Sequence, residues 1–149
     1  FSIGGAIQGE ALKVHPLKKD IKYVFVKDRT FSTLSQLVSQ MMGRLVGFSI
    51  KCLGWEMSSV ASSKKLQVPE IILQKTKKEN FHPLESIDDL SETDGVIKKR
   101  GSLAFELLKE GIHKNKHYLG VTSDHNSPLD TASIEHLSGI VNQAFAEGS

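Results

Sequence analysis

The sequence predicts an α+β domain in which an antiparallel sheet packs on one long central helix, with further helices towards the C-terminus. Residues 21–26 alternate in side-chain character with the two-residue period of a strand. Residues 31–48 carry apolar side chains at steps of three and four, which is typical of an amphipathic helix. Strand patterns cluster early and helix patterns late, which favours α+β. A chain of 149 residues fits one domain, and we expect residues 1–149 to form it.

The first half is predicted to hold the sheet and the central helix. Residues 11–14 are the expected antiparallel partner of strand 21–26. The helix over 31–48 begins at a capping box of Thr33 and Gln36, and Gly43 within it indicates close packing. Its predicted buried stripe is Leu34, Leu37, Val38, Met41, Met42, Leu45 and Val46. Further strands are predicted over 48–53, 66–68 and 70–74, with a polar loop over 58–65 and a break at Pro69.

The second half is predicted to hold a long surface loop, two helices and one strand. Residues 75–94 are polar and irregular, which indicates the loop. A second helix is predicted over 95–110, with Gly111 as its C-terminal cap. A strand is predicted over 117–121, and Asp130 introduces a third helix over 131–146.

Composition limits the function classes only weakly. The formal net charge of +2 neither requires nor excludes a polyanionic partner. Cys52 is the single cysteine, so an internal disulfide is impossible, and its apolar surroundings predict a buried, inert thiol. No leader peptide is recognisable, and no apolar run reaches the ~20 residues of a membrane span.

The metal-binding and nucleotide-binding patterns are weak, and we expect no cofactor. His113 and His117 have helical ligand spacing but no third ligand nearby, so solvated loop histidines are the better interpretation. Gly4 and Gly5 do not complete a nucleotide fingerprint. An acidic cluster lacks the alternation of a calcium loop, and we interpret it as a solvated loop. Its members are Asp88, Asp89, Glu92 and Asp94.

Basic residues form the most suggestive group. Lys98, Lys99 and Arg100 lie at the predicted start of the second helix, where backbone N–H groups favour an anion. Together with scattered aromatic residues, such a group suits contact with RNA phosphates. A solvated surface explains the same residues equally well, so both interpretations stay open.

The opening Phe1-Ser2-Ile3-Gly4-Gly5 is one of several features shared with a viral family. Together with strand 21–27, the helix over 31–48 and the segment 98–112, it resembles the cap-binding domain of influenza-type polymerase basic protein 2. Arg44 before an apolar pair matches a basic residue of that family's central helix. The resemblance implies a divergent orthomyxovirus relative of thogotovirus type.

That resemblance implies a non-catalytic, cap-binding-like domain of a viral RNA polymerase subunit, which acts in cap-snatching transcription. Phe1, Trp55 and Phe81 are then the residues that stack on the methylated guanine, and Lys98, Lys99 and Arg100 contact RNA. The family's stacking histidine and guanine-reading glutamate have no counterpart over 16–23, so we expect weak or lost cap affinity. The implied partners are other viral polymerase subunits and RNA, including capped host mRNA, with no membrane and no metal. The implied location is the host nucleus and the virion.

Two other classes remain open from the residues alone. A small nuclease would use His113 and His117 and needs histidines and lysines converging in a cleft. A protein-interaction module would need an exposed apolar patch.

Overall fold

In the computed structural model, which describes residues 1–147, helices pack on both faces of a four-stranded sheet. The predicted mixture of α-helices and a β-sheet is confirmed. The helices are α1 (Ile3–Val14), α2 (Leu34–Met42), α3 (Arg44–Cys52), α4 (Ser59–Lys65), α5 (Leu103–Lys109) and α6 (Thr131–Glu147). The strands are β1 (Phe25–Asp28), β2 (Glu70–Lys75), β3 (His82–Pro83) and β4 (Lys116–Val121).

The sheet is largely parallel, so the predicted antiparallel sheet is wrong. The strand order is β1-β2-β4-β3. Strands β1, β2 and β4 run parallel, with Glu70 paired to both Phe25 and Lys116, and only the short β3 runs antiparallel. Helices lie between consecutive parallel strands along the chain, and such crossover connections are what parallel pairing requires.

The two faces of the sheet carry separate apolar clusters. Ile72 and Tyr118 point towards α5 on one face, whereas Ile71 and Leu73 point towards α6 on the other. Because both faces are covered, strand β2 is buried along nearly its whole length. This layering leaves the carboxyl ends of the parallel strands as the edge where loops can assemble a site.

The predicted central helix is two helices, and most of its stripe is not core. Gly43 has a φ of 99°, which ends α2 before α3 begins. Thr33 caps α2 as predicted, since its hydroxyl accepts the Gln36 N–H at 3.3 Å. Two members of the predicted buried stripe are nevertheless largely exposed: Met41, near the end of α2, by 65%, and Leu45, near the start of α3, by 84%. We call residues 34–55 the hairpin segment, because α2 and α3 pack against each other within it.

Several short elements of the first half also differ from prediction. Residues 11–14 form the end of α1, residues 48–52 lie in α3, and residues 59–65 form α4. Residues 21–24 and 66–68 lie outside the strands, although both ranges were predicted to be extended. Short apolar runs do not distinguish strand from helix, because both bury a few consecutive side chains. Ser58 is the overlooked start signal of α4, since its hydroxyl accepts the Ala61 N–H at 3.1 Å.

The second half follows the prediction more closely. Strand β4 and helix α6 are confirmed, and Asp130 caps α6 by accepting the Ser133 N–H at 2.7 Å. The second helix is shorter than predicted, because α5 begins after its cap Ser102. A turn of 3₁₀ helix, Lys99–Gly101, precedes it. The loop over 75–94 contains β3 and a second 3₁₀ turn, Ile87–Asp89.

A buried ionic cluster joins the three parallel strands. The Glu70 carboxylate lies 2.8 Å from the Lys27 ammonium and 3.1 Å from the Lys116 ammonium. The Ser63 hydroxyl accepts from Lys27 and donates to Glu70. Burial lowers the pKa of Lys27, and the neighbouring Glu70 carboxylate opposes that shift.

Candidate active site

Ser2 is the N-cap residue of helix α1 and lies in a strained turn beside strand β1. Its φ of 47° and ψ of −122° lie in a region that residues with a side chain rarely adopt. The Ser2 N–H donates to the Asp28 carbonyl at 2.9 Å, at the carboxyl end of β1. The serine hydroxyl therefore lies at the edge of the sheet where the parallel strands end.

His125 lies in the loop after β4 and contacts Ser2. Its side chain is almost fully buried, with the residue only 4% exposed. The imidazole Nε2 is 3.0 Å from the Ser2 Oγ, and Nδ1 is 2.9 Å from the Asp94 Oδ2. One imidazole thus connects a hydroxyl to a carboxylate.

Asp94 is fully buried and held by several donors. Its Oδ1 accepts the N–H groups of Val96 and Ile97 at 3.0 and 2.7 Å. Its Oδ2 accepts from the Gln74 Nε2 at 3.3 Å and from His125. The backbone adds a further link, because the His125 N–H donates to the Asp94 carbonyl. The interpretation of the acidic cluster as a solvated loop is therefore wrong for Asp94.

The proton positions follow from the partners. A carboxylate can only accept hydrogen bonds, so the imidazole Nδ1 facing Asp94 carries a proton. In the neutral ring, Nε2 is then the acceptor, and it faces the Ser2 hydroxyl. The hydrogen bonds run in one direction, from Ser2 to His125 and from His125 to Asp94.

Arg29 fastens the loop that carries the histidine to the end of β1. Its Nε and Nη2 donate to the Asp28 carboxylate at 2.7 and 2.9 Å. Its Nη1 donates to the carbonyls of Asp124 and Ser127, the latter at 2.9 Å. The guanidinium also lies 5.2 Å from the centre of the Phe1 ring. Arg29 is buried, so this arrangement restricts how far the loop can move.

The aromatic residues assigned to stacking lie in three different places. The Phe1 ring is 5.0 Å from the His125 ring. Trp55 follows α3 and is 64% exposed, whereas the Phe81 ring stacks on His136 of α6 at 5.3 Å. Among residues 1–147, no ring contact joins these three residues to one another.

The basic group lies in a turn instead of at a helix start. Lys98 and Arg100 are exposed, and the Lys99 ammonium is 3.6 Å from the Glu92 carboxylate. Since the N-cap of α5 is Ser102, these cations precede the helix and do not share its N-terminal amides. The dipole argument for an anion at this position is therefore wrong.

The remaining candidates also lie apart from Ser2. His113 precedes β4 and packs edge-on against Tyr118 at 5.8 Å, and His117 is near the start of the same strand. Both lie at the opposite end of β4 from His125. Within residues 1–147, no three His, Cys, Asp or Glu side chains form a group that could hold a metal ion. Cys52 is exposed, so its predicted burial is wrong.

Sequence reasoning missed the Ser2, Asp94 and His125 constellation, although two signals were present. Ser2-Ile3-Gly4 matches the S-x-G part of the G-x-S-x-G nucleophile turn. Serine, aspartate and histidine also follow one another along the chain in the order found in α/β-hydrolases. Neither signal is specific without the strand directions.

Residues 1–146 match the family described as Chlamydia CHLPS protein (DUF818), and the chain belongs to that family. No curated protein and no solved structure shows significant similarity to this chain. The family match corrects the viral interpretation: the chain is not an orthomyxovirus polymerase domain. The predicted cap-binding function and the predicted location in the host nucleus and virion depended on the viral interpretation and are wrong as well. The resemblance rested on a short glycine-containing opening and on element order, neither of which is specific.

Proposed function

We propose that this member of the Chlamydia CHLPS family is a serine hydrolase that cleaves carboxylic esters. The observation that carries the proposal is the chain of hydrogen bonds from the Ser2 hydroxyl through His125 to the buried Asp94 carboxylate. A nucleophile, a base and a group that orients the base are the elements of a catalytic triad. This proposal replaces the expectation of a non-catalytic domain, which derived from the viral resemblance.

The geometry supports acyl transfer in two steps. In the first, the Ser2 Oγ attacks the ester carbonyl carbon while His125 Nε2 removes the hydroxyl proton. The tetrahedral intermediate then breaks the bond to the alcohol, which leaves with the proton from His125. In the second step, water attacks the acyl-serine with His125 again as base, releasing the carboxylic acid and restoring the Ser2 hydroxyl. The sum is ester plus water giving acid plus alcohol.

Helix α1 supplies a favourable environment for the negative charge that develops on the carbonyl oxygen. The Ile3 amide is the first N–H of this 12-residue helix, a position without an intrahelical acceptor. It directly follows the serine, as does the oxyanion-hole donor of the nucleophile turn in α/β-hydrolases. The positive end of the helix dipole adds to this donor.

The buried carboxylate fits the orienting role. The two backbone N–H groups on Oδ1 fix the plane of the Asp94 carboxylate, which leaves Oδ2 aimed at His125. Arg29 holds the loop that carries His125, through the carbonyls of Asp124 and Ser127. A base whose ring and loop are both held in place loses little free energy to orientation during the reaction.

Labelling with a fluorophosphonate tests the proposal directly, because this reagent reacts with serines activated by a neighbouring base. The intact protein should gain one label on Ser2, located by peptide mass spectrometry. Ser2→Ala and His125→Ala should each abolish the label and lower hydrolysis of p-nitrophenyl acetate at least about 10⁴-fold. Ser127→Ala, in the same loop as His125, is the matched control and should label normally. Labelling that persists in Ser2→Ala would refute the proposal.

A further inference from the structure

The hairpin segment exposes seven large apolar side chains. Leu45 is 84% exposed, Phe48 66% and Trp55 64%. We call the full set the apolar patch: Met41, Met42, Leu45, Val46, Phe48, Leu53 and Trp55. Single exposed apolar residues are normal on protein surfaces, but seven large ones within residues 41–55 indicate a docking surface.

The hairpin segment is anchored, so its outer face is a defined surface. On the inner face, Leu34 and Leu37 pack in the cluster that contains Ile97. The Gln36 Nε2 donates to the Arg100 carbonyl at 2.7 Å. Its inner side is therefore bound to the domain, and its apolar patch is directed to solvent.

The charges of the hairpin segment identify the partner's chemistry. Residues 34–55 contain Arg44 and Lys51, both exposed, and no aspartate or glutamate. The next acid, Glu56, accepts the Ser35 N–H at 3.1 Å, at the start of α2. Cations beside exposed Leu, Phe and Trp side chains are the composition of segments that lie in the interface of an anionic bilayer.

The position of the hairpin segment connects it to Ser2. Helix α2 follows β1 at the carboxyl edge of the sheet, where Ser2 is hydrogen-bonded to Asp28. Leu34 and Leu37 of its inner face pack against the cluster that contains Ile97, whose N–H donates to the Asp94 carboxylate. A surface covering the apolar patch would therefore lie at the same end of the domain as the Ser2 hydroxyl.

We propose that the apolar patch docks this protein onto an anionic lipid surface, where Ser2 cleaves an acyl ester of a lipid. Docking follows from the patch and its cations alone. The substrate class also rests on the proposed hydrolase function. Leu45, Phe48 and Trp55 enter the acyl boundary, and Arg44 and Lys51 contact lipid phosphates.

Trp55 reports on docking without any substitution, because it is the single tryptophan of the chain. The intact protein is titrated with vesicles of phosphatidylcholine alone and of phosphatidylcholine with phosphatidylserine. With the anionic vesicles, we expect a blue shift of the emission and quenching by brominated acyl chains. Added salt should weaken binding, since the lysine and arginine contacts are screened. An unchanged spectrum with anionic vesicles overturns the proposal.

Variants separate the two contributions in a flotation assay. Arg44→Gln with Lys51→Gln should lower partitioning onto anionic vesicles about 25-fold, since each cation contributes about five-fold. Leu45→Ser with Phe48→Ser should abolish it. The controls are Ile134→Ser, an exposed apolar residue on α6, and Lys114→Gln, an exposed lysine before β4. Both should bind like the wild type, and a loss as large as that of the patch variants contradicts the assignment.

The remaining outcomes distinguish docking from chemistry. Ser2→Ala should still float with vesicles, which supports docking independently of catalysis. Vesicle binding without release of fatty acid from phospholipid upholds docking and refutes the substrate class. Hydrolysis of p-nitrophenyl acetate without vesicle binding leaves the hydrolase and refutes docking. If the protein is instead a dimer that Leu45→Ser with Phe48→Ser converts to monomers, a second copy covers the patch and the lipid proposal is wrong.

Discussion

Replacing Asp94 with asparagine tests the direction of the hydrogen bonds in the proposed triad. The asparagine oxygen can keep the bonds from Val96 and Ile97, because these N–H groups contact Oδ1. Its amide nitrogen then faces the His125 Nδ1 as a donor. That reversal forces Nδ1 to accept and moves the proton to Nε2, which can no longer accept a proton from Ser2.

The expected changes in stability and in kcat follow from the hydrogen bonds that asparagine at position 94 keeps and loses. The buried backbone amides keep their acceptor, and Gln74 can turn its amide to offer oxygen in place of nitrogen, so stability should fall by only about 1–2 kcal/mol. Because the His125 imidazole no longer has the tautomer that can accept the Ser2 proton, kcat should fall by roughly 10⁴ with KM little changed. Steady-state hydrolysis of p-nitrophenyl acetate and urea denaturation of the same sample measure the two effects.

Asp88→Asn is the matched control, because Asp88 belongs to the same acidic cluster but is exposed. Its kcat should equal that of the wild type. If Asp94→Asn retains activity within tenfold of the wild type, then Asp94 does not orient the base, and the triad assignment is wrong. Loss of activity through unfolding alone would show in the denaturation curve.

Three further predictions concern the surroundings of the site and the sheet. Arg29→Lys keeps one charge but loses the planar set of donors, so kcat should fall about ten- to a hundredfold at constant KM, measured by ester hydrolysis. Glu70→Gln leaves two buried ammonium groups without a counter-charge and should lower the free energy of unfolding by roughly 3–5 kcal/mol, measured in urea. The backbone N–H of Ser133 lowers the pKa of the Asp130 carboxyl, so this carboxylate stabilises the fold above its unfolded pKa and loses that contribution as pH falls through the folded pKa. Asp130→Asn should therefore reduce the melting temperature at neutral pH and differ less from the wild type as the pH is lowered, measured by circular dichroism.

The sequence predicted correctly those features that depend on residues close together in the chain, such as helix caps and regular apolar stripes. Helix α6 was found because Asp130 caps it and its apolar stripe is regular. The cap at Thr33 was found for the same reason. Gly43 was interpreted as close packing, whereas its positive φ separates two helices. A glycine has both uses, and the sequence alone does not say which applies.

The site could not be predicted because its members meet only through the sheet. Asp94 is one carboxyl in an acidic stretch, and its burial depends on the amides of Val96 and Ile97 and on Gln74 of β2. Strand direction decides which ends of the strands share an edge, and alternating side chains carry no information on direction. The predicted antiparallel sheet gave no reason to bring the loop after β4 to the same edge as Ser2 and Asp94.

The separation of the site residues along the chain has a consequence for folding kinetics. Ser2 and His125 are 123 positions apart, and His125 and Asp94 are 31 apart. Contacts that close loops of that length form late in folding, because the chain loses conformational entropy on closing the loop before the contact stabilises it. We expect pairing of β1, β2 and β4 to precede the contact between the Ser2 hydroxyl and the His125 imidazole. Recovery of fluorophosphonate labelling after dilution from urea would therefore follow the recovery of helical circular dichroism, and it would time the last contacts of the sheet edge.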